Sequence, residues 1–195
     1  CNTPASSNYN STSSVYTVVQ LSNDYKTSGN LNESSRLVST IRCQDGGGST
    51  AYAHAIERAQ SELTSSRGRP GIQNVIVFFS DGAANTGPNY LPSSSPYRRQ
   101  PCQQGVNSAG VVKGAGTLVY TIGYDLDALG GGANVCKSYT GALESPAITA
   151  YDALRLMATN ADTFFNRPNP GDLTRVYTQI AAEIGGTRLI PDDAL

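Results

Sequence analysis

No Cys-x-x-Cys pair occurs in this sequence, and a single histidine, His54, is present to join its four cysteines. That scarcity argues against a Cys/His zinc site and against a Cys–His nucleophile pair. Charge is also scarce. Asp, Glu, Lys and Arg make up 15% of the chain, the formal net charge is -1, and Arg98-Arg99 is the only adjacent basic pair. Such a balance gives no electrostatic basis for binding nucleic acid or an anionic membrane. No apolar run approaches the ~18 residues that a membrane-spanning helix needs. Gly-x-Ser-x-Gly is absent, and Ser108 in Val106-Asn-Ser-Ala-Gly110 lacks the first glycine of that turn. Gly46–Gly48 and Gly130–Gly132 fit neither phosphate-loop pattern. Cys1-Asn-Thr-Pro shows neither an initiator methionine nor a signal-peptide pattern and reads as the start of a processed or trimmed product.

The 195 residues suit one domain with a full core. An even cysteine count, with abundant Ser, Asn, Thr and Tyr and little Lys, fits an oxidising, extracytoplasmic setting. Four cysteines allow two disulfides in three pairings; four buried thiols are the alternative. Asn10 and Asn32 head sequons that matter only on a eukaryotic secretory route.

The most informative stretch is Asn74-Val-Ile-Val-Phe-Phe-Ser-Asp81-Gly82. Its unbroken apolar run predicts a strand buried on both faces, as in a parallel sheet covered by helices. Asp81 then falls at the carboxyl edge of the sheet, where open α/β folds bind ligands. Gly82 allows a sharp turn and leaves room for a ligand. Asp81 alone is equally readable as a turn opener or a helix cap.

Residues 1–14 are polar and aperiodic, a tail or loop, and 191–195 form a second tail. Between them, 15–190 reads as one domain. Val15–Leu21 predicts a strand, 22–29 a turn into a short edge strand, and Asn32 the cap of a helix over 33–41. Gly46-Gly-Gly-Ser-Thr50 opens the strongest helix, Ala51 to about Ser66, with Ala55, Ile56, Ala59 and Leu63 on one face. A glycine-interrupted helix over 103–115 precedes a strand over 117–123. A helix over 147–159, a strand near 163–165 and a helix over 170–184 follow. The alternation predicts an α/β fold, a doubly wound, mostly parallel sheet with helices on both faces.

The order Gly-Gly-Gly-Ser-Thr50 plus helix, then Ser80-Asp81-Gly82 after a strand, then Val119-Tyr-Thr-Ile-Gly123 resembles a von Willebrand factor A (vWA) domain. The ending Leu156-Met-Ala-Thr-Asn…Phe164-Phe-Asn-Arg-Pro…Asp172-Leu…Arg188-Leu-Ile190 is similar to A domains of bacterial Tad-type pilus-assembly and surface proteins. The resemblance runs from about Val15 to Ile190. It implies a divalent ion at the sheet edge, in a metal-ion-dependent adhesion site (MIDAS). Three loops hold that ion: an Asp-x-Ser-x-Ser motif, a threonine at a helix start and an aspartate after a strand. By motif, the threonine is Thr50, preferred to Ser49, and the aspartate is Asp81. Such oxygens suit Mg²⁺ first, with Ca²⁺ or Mn²⁺ as alternatives, and a partner's carboxylate completes the family's shell.

Asp-x-Ser-x-Ser occurs nowhere; the nearest string, Asp45-Gly-Gly-Gly-Ser49, lies in the second loop. Residues 1–14 contain no apolar run to supply the family's first strand and helix, so the fold is expected to be N-terminally incomplete. A separate segment or another subunit would then complete the sheet, and metal held by Thr50 and Asp81 alone would be weak.

Two long loops, 83–101 and 124–146, follow strands and belong on the same edge, bracketed by Cys102 and Cys136. A Cys102–Cys136 disulfide would staple them; Cys1–Cys43 follows by elimination, unless either pairs with an absent segment. Ser49, Gly82, Tyr90, Tyr97, Arg98 and Tyr124 are the ligand-face candidates, with Arg99 and Tyr139 beside them. Loop decoration is the plainer reading of these residues. His54 reads as a solvated helix residue, Asp125 and Asp127 as turn residues, and Asp192-Asp193 as a solvated tail. The expected function is a non-enzymatic, extracellular or cell-surface module that contacts a protein partner at a metal-bearing face. The alternatives are a structural subunit with no working metal site and, third, a doubly wound enzyme.

Overall fold

The computed structural model describes residues 19–42, 49–87, 93–124, 126, 134–167 and 170–186. A two-stranded hairpin pairs β1 (Lys26–Thr27) antiparallel with β2 (Asn30–Leu31). Ser28 and Gly29, both at positive φ, make its turn. Val19–Leu21 do not extend as a strand. The Leu21 amide instead donates to Glu62 Oε1 at 2.9 Å, a carboxylate that takes the place of a ladder partner. Helix α1 spans Arg36–Arg42 and is capped by Ser35, not Asn32. Ser35 Oγ accepts from the Leu37 and Val38 amides, while Asn32 Oδ1 is taken by Ser34 N.

Helix α2 (Tyr52–Leu63) buries Tyr52 and Ile56, with Ala59 and Leu63 packed behind them. The buried stripe runs from Tyr52 in steps of four and three, which leaves Ala55 exposed rather than on it. The helix stops at Leu63 because Thr64 and Ser65 hydroxyls donate to the carbonyls of Gln60 and Glu62.

Strands β3 (Val75–Ser80), β4 (Leu118–Tyr124) and β5 (Phe164–Arg167) form a parallel sheet in the order β3-β4-β5. Helix α2 leads into β3, α3 (Pro101–Gly114) joins β3 to β4, α4 (Ala150–Met157) joins β4 to β5, and α5 (Pro170–Gly186) follows β5. Thr149 caps α4 by accepting from Asp152 N at 3.0 Å. One face of the sheet carries Ile76, Phe78 and Val119 into a core shared with residues of α2, α3 and α4. The other buries Tyr120, Ile122 and Phe165 against Val176 and Ile180 of α5. Helices cover both faces, as the strand–helix alternation predicts.

β3 departs from the expectation of two buried faces. Its burial alternates, with Ile76, Phe78 and Ser80 inside and Val77 (39%) and Phe79 (44%) exposed. The cause is position. Among the described residues β3 is an edge strand, and the second core is built on β4 and β5.

Candidate binding edge of the sheet

β3 delivers Asp81 to the carboxyl edge, where it is exposed. The loop behind it is clamped onto Thr50. Thr50 O accepts from the amides of Asn85 (2.9 Å) and Thr86 (3.2 Å), and Thr50 N donates to Asn85 Oδ1 (2.9 Å). The start of α2 is locked to the same loop, since the Tyr52 hydroxyl donates to Gly82 O, as does Ser80 Oγ at 3.0 Å. Burial raises the pKa of Tyr52 to about 12, and the charge of Asp81 adds to the shift. The helix-start threonine and the strand-end aspartate therefore share one hydrogen-bonded corner.

Gly82 has no positive φ, and a Cβ there would meet nothing within 4 Å. Its backbone freedom is not what the corner uses; its carbonyl is. Ser49 is exposed beside Thr50. Tyr124 ends β4 on the other face, where its ring lies 6.1 Å from that of Phe79. Tyr97 is half-buried and Arg98 exposed on the segment entering α3. Tyr90, Asp125, Asp127, Asn10, Asp192, Asp193 and the Cys1–Cys43 pairing lie outside the described residues.

The Cys102–Cys136 disulfide is present, with its Cα atoms 6.1 Å apart. Sequence reasoning missed the residue that finishes this region, Glu144. Its carboxylate is buried and accepts from the amides of Cys102 (2.8 Å) and Gln103 (3.0 Å), capping α3 from across the bridged loop. Burial pushes its pKa up against those two bonds. No local signal points to a cap placed so far along the chain. His54 is also a correction. It is buried, not solvated, and desolvation lowers its pKa to about 4. Ser108 Oγ donates to Glu57 Oε1 at 2.8 Å.

Thr50 and Asp81 would give a hard cation at most two side-chain donors. Among the described residues no group of three His, Cys, Asp or Glu side chains gathers to hold a metal. Two donors fall short of a six-oxygen shell, so these residues alone do not fit the ion.

The family model for the von Willebrand factor type A domain matches residues 5–179. The chain belongs to that family. No curated protein matches it closely enough to count as a relative. Among solved structures, this vWA chain is similar to the vWF domain of the type V pili tip protein Mfa5 from Porphyromonas gingivalis. Identity is 16% and the TM-score 0.57, covering 77% of this chain and 72% of that one. It is also similar to the pilus adhesin SpaC from Lactobacillus rhamnosus GG, at 12% identity and a TM-score of 0.54. There the likeness covers 80% of this chain and 21% of SpaC, so the chain spans about a fifth of that adhesin. These likenesses share a fold: a vWA domain used in two pilus proteins. No described helix is long and apolar enough to cross a membrane.

Proposed function

We propose that this vWA chain is a non-enzymatic contact module of a pilus or other cell-surface protein, working outside the cytoplasm. It binds a protein partner at the carboxyl edge of its sheet. The carrying observation is the corner where Thr50, Tyr52 and Asp81 are joined through the 82–86 loop. A divalent ion, Mg²⁺ foremost, sits there once further oxygens join Thr50 and Asp81 from outside the described residues. A carboxylate of the partner takes the remaining position. Family membership, the likeness to two pilus proteins and the disulfide support this reading.

Beads coated with the chain and scored for adhesion to a panel of immobilised surface proteins test it. Adhesion in Mg²⁺ should fall at least ~10-fold in EDTA and equally in Asp81→Ala, the loss expected when one charged contact of ~1.4 kcal/mol or more is removed. Adhesion indifferent to both would leave the edge without a metal role. The edge position of β3 among the described residues favours a second reading, a structural subunit whose sheet is completed by a strand from another segment, with no working metal site.

A further inference from the structure

Arg98 and Arg99 line an open cavity of about 400 Å³ whose other wall is Tyr139 and Thr140. Both arginines are exposed, and neither takes part in any ion pair among the described residues. Their backbones are nonetheless fixed. Arg98 O accepts from Gln104 Nε2 at 3.0 Å, and Arg99 O accepts from Tyr139 N at 3.1 Å. The opposite wall is equally held. The Tyr139 hydroxyl donates to Gln104 Oε1 at 3.3 Å and accepts from the Gly87 amide. Ser138 and Thr140 hydroxyls bond each other at 2.8 Å. The Cys102–Cys136 disulfide ties the Tyr139 segment to the first turn of α3. Glu144, the carboxylate whose charge reaches Tyr139, is 2% exposed and turned onto the amides of Cys102 and Gln103. Two exposed arginines thus line a cavity whose backbone walls are held, and neither pairs with a carboxylate among the described residues.

We propose that this cavity binds a carboxylate of a protein partner, an exposed aspartate or glutamate side chain, through Arg98 and Arg99 and without a metal ion. Guanidinium forks receive carboxylates in paired, charge-assisted hydrogen bonds. A cavity of this size holds one or two side chains. Through Gly87 and Tyr139 the cavity adjoins the loop that follows Asp81, so an acidic segment lying along the edge reaches both places. The proposal rests on reading that edge as a protein-contact surface. Its test is run in EDTA, so that failure of the metal reading and failure of this one are separable.

The isotope-labelled chain is titrated by NMR in EDTA with a blocked Gly-Glu-Asp-Gly peptide, its Gln/Asn counterpart and a sulfated disaccharide. Amide signals of Arg98, Arg99, Tyr139 and Thr140 should shift saturably with the acidic peptide alone, at a roughly millimolar Kd typical of a single charged contact. Arg98→Gln with Arg99→Gln should weaken binding at least ~10-fold, as expected from losing charge-assisted bonds. The unfolding midpoint should stay unchanged, since neither side chain bonds another described residue. Arg98→Lys with Arg99→Lys should retain part of the affinity, because charge survives without the fork. Absent shifts, an equal response to the amide peptide, or binding of the sulfated sugar in preference to the acidic peptide would each overturn the assignment.

Discussion

His54 lies on α2 with 8% of its surface exposed, and desolvation lowers its pKa from 6.5 to about 4. The folded state therefore resists a proton that the unfolded chain accepts. This contribution to stability is whole above pH 6.5 and is lost as pH falls from there toward 4. Thermal unfolding followed across that window should show a decline in midpoint that His54→Gln flattens; parallel curves for the two proteins would contradict it. Glu62 acts in a separate window. The Arg67 guanidinium holds its pKa down to about 2, so its support is lost only as pH falls from 4.5 toward that value. Glu144 has the opposite sign, since burial raises its pKa and a folded chain takes up that proton before an unfolded one.

Neighbouring residues of one strand differ sharply in what surrounds them. Phe78 meets Tyr52 edge-to-face at 5.3 Å within the core, whereas Phe79 is 44% exposed. Phe78→Ala should cost about 3–4 kcal/mol and Phe79→Ala about 1 kcal/mol or less, measured by denaturant unfolding of the chain alone. Equal losses would mean that a segment covers the outer face of β3. The same strand shows what the sequence could and could not disclose. The run Val75–Phe79 marks a strand wherever it sits, because its residue types are those of a buried pleat. Whether both of its faces are covered depends on which elements pack beside it, and no local pattern encodes that. Caps followed the same division. Thr149 and Ser35 are local, though Ser35 acts where Asn32 looked the stronger candidate. Glu144 caps α3 across a bridged loop that leaves no periodic trace. Gly105, legible only as a weakness in a helix, is where α3 crosses α2; a Cβ there would lie 2.5 Å from Tyr52 Cβ. The order of Thr50 and Asp81 along the chain is readable in one dimension, whereas the clamp from Thr50 to Asn85 joins residues 35 apart and leaves no local pattern.

Among the described residues, three parallel strands and their flanking helices bear the sheet edge, and the Cys102–Cys136 disulfide braces the loops rising from it. The disulfide closes a sequence separation of 34 residues. Chain-entropy arguments put its contribution at about 3–4 kcal/mol. Cys102→Ala with Cys136→Ala should lower the unfolding midpoint accordingly, and reduction under native conditions should lower it at least as far. A reduced chain that melts with the oxidised one would show that packing around Glu144 already fixes the loops.

That link also limits how far the chain extends under tension. Pulled from both ends until every strand and helix has given way, the oxidised chain keeps the segment between Cys102 and Cys136, a separation of 34, looped. This bond alone shortens its fully drawn length by about 110 Å, at roughly 3.4 Å per residue less the span of the bridge. The Arg98–Tyr139 walls on either side of the bridge stay tethered as neighbours even after the sheet that carried them has unravelled.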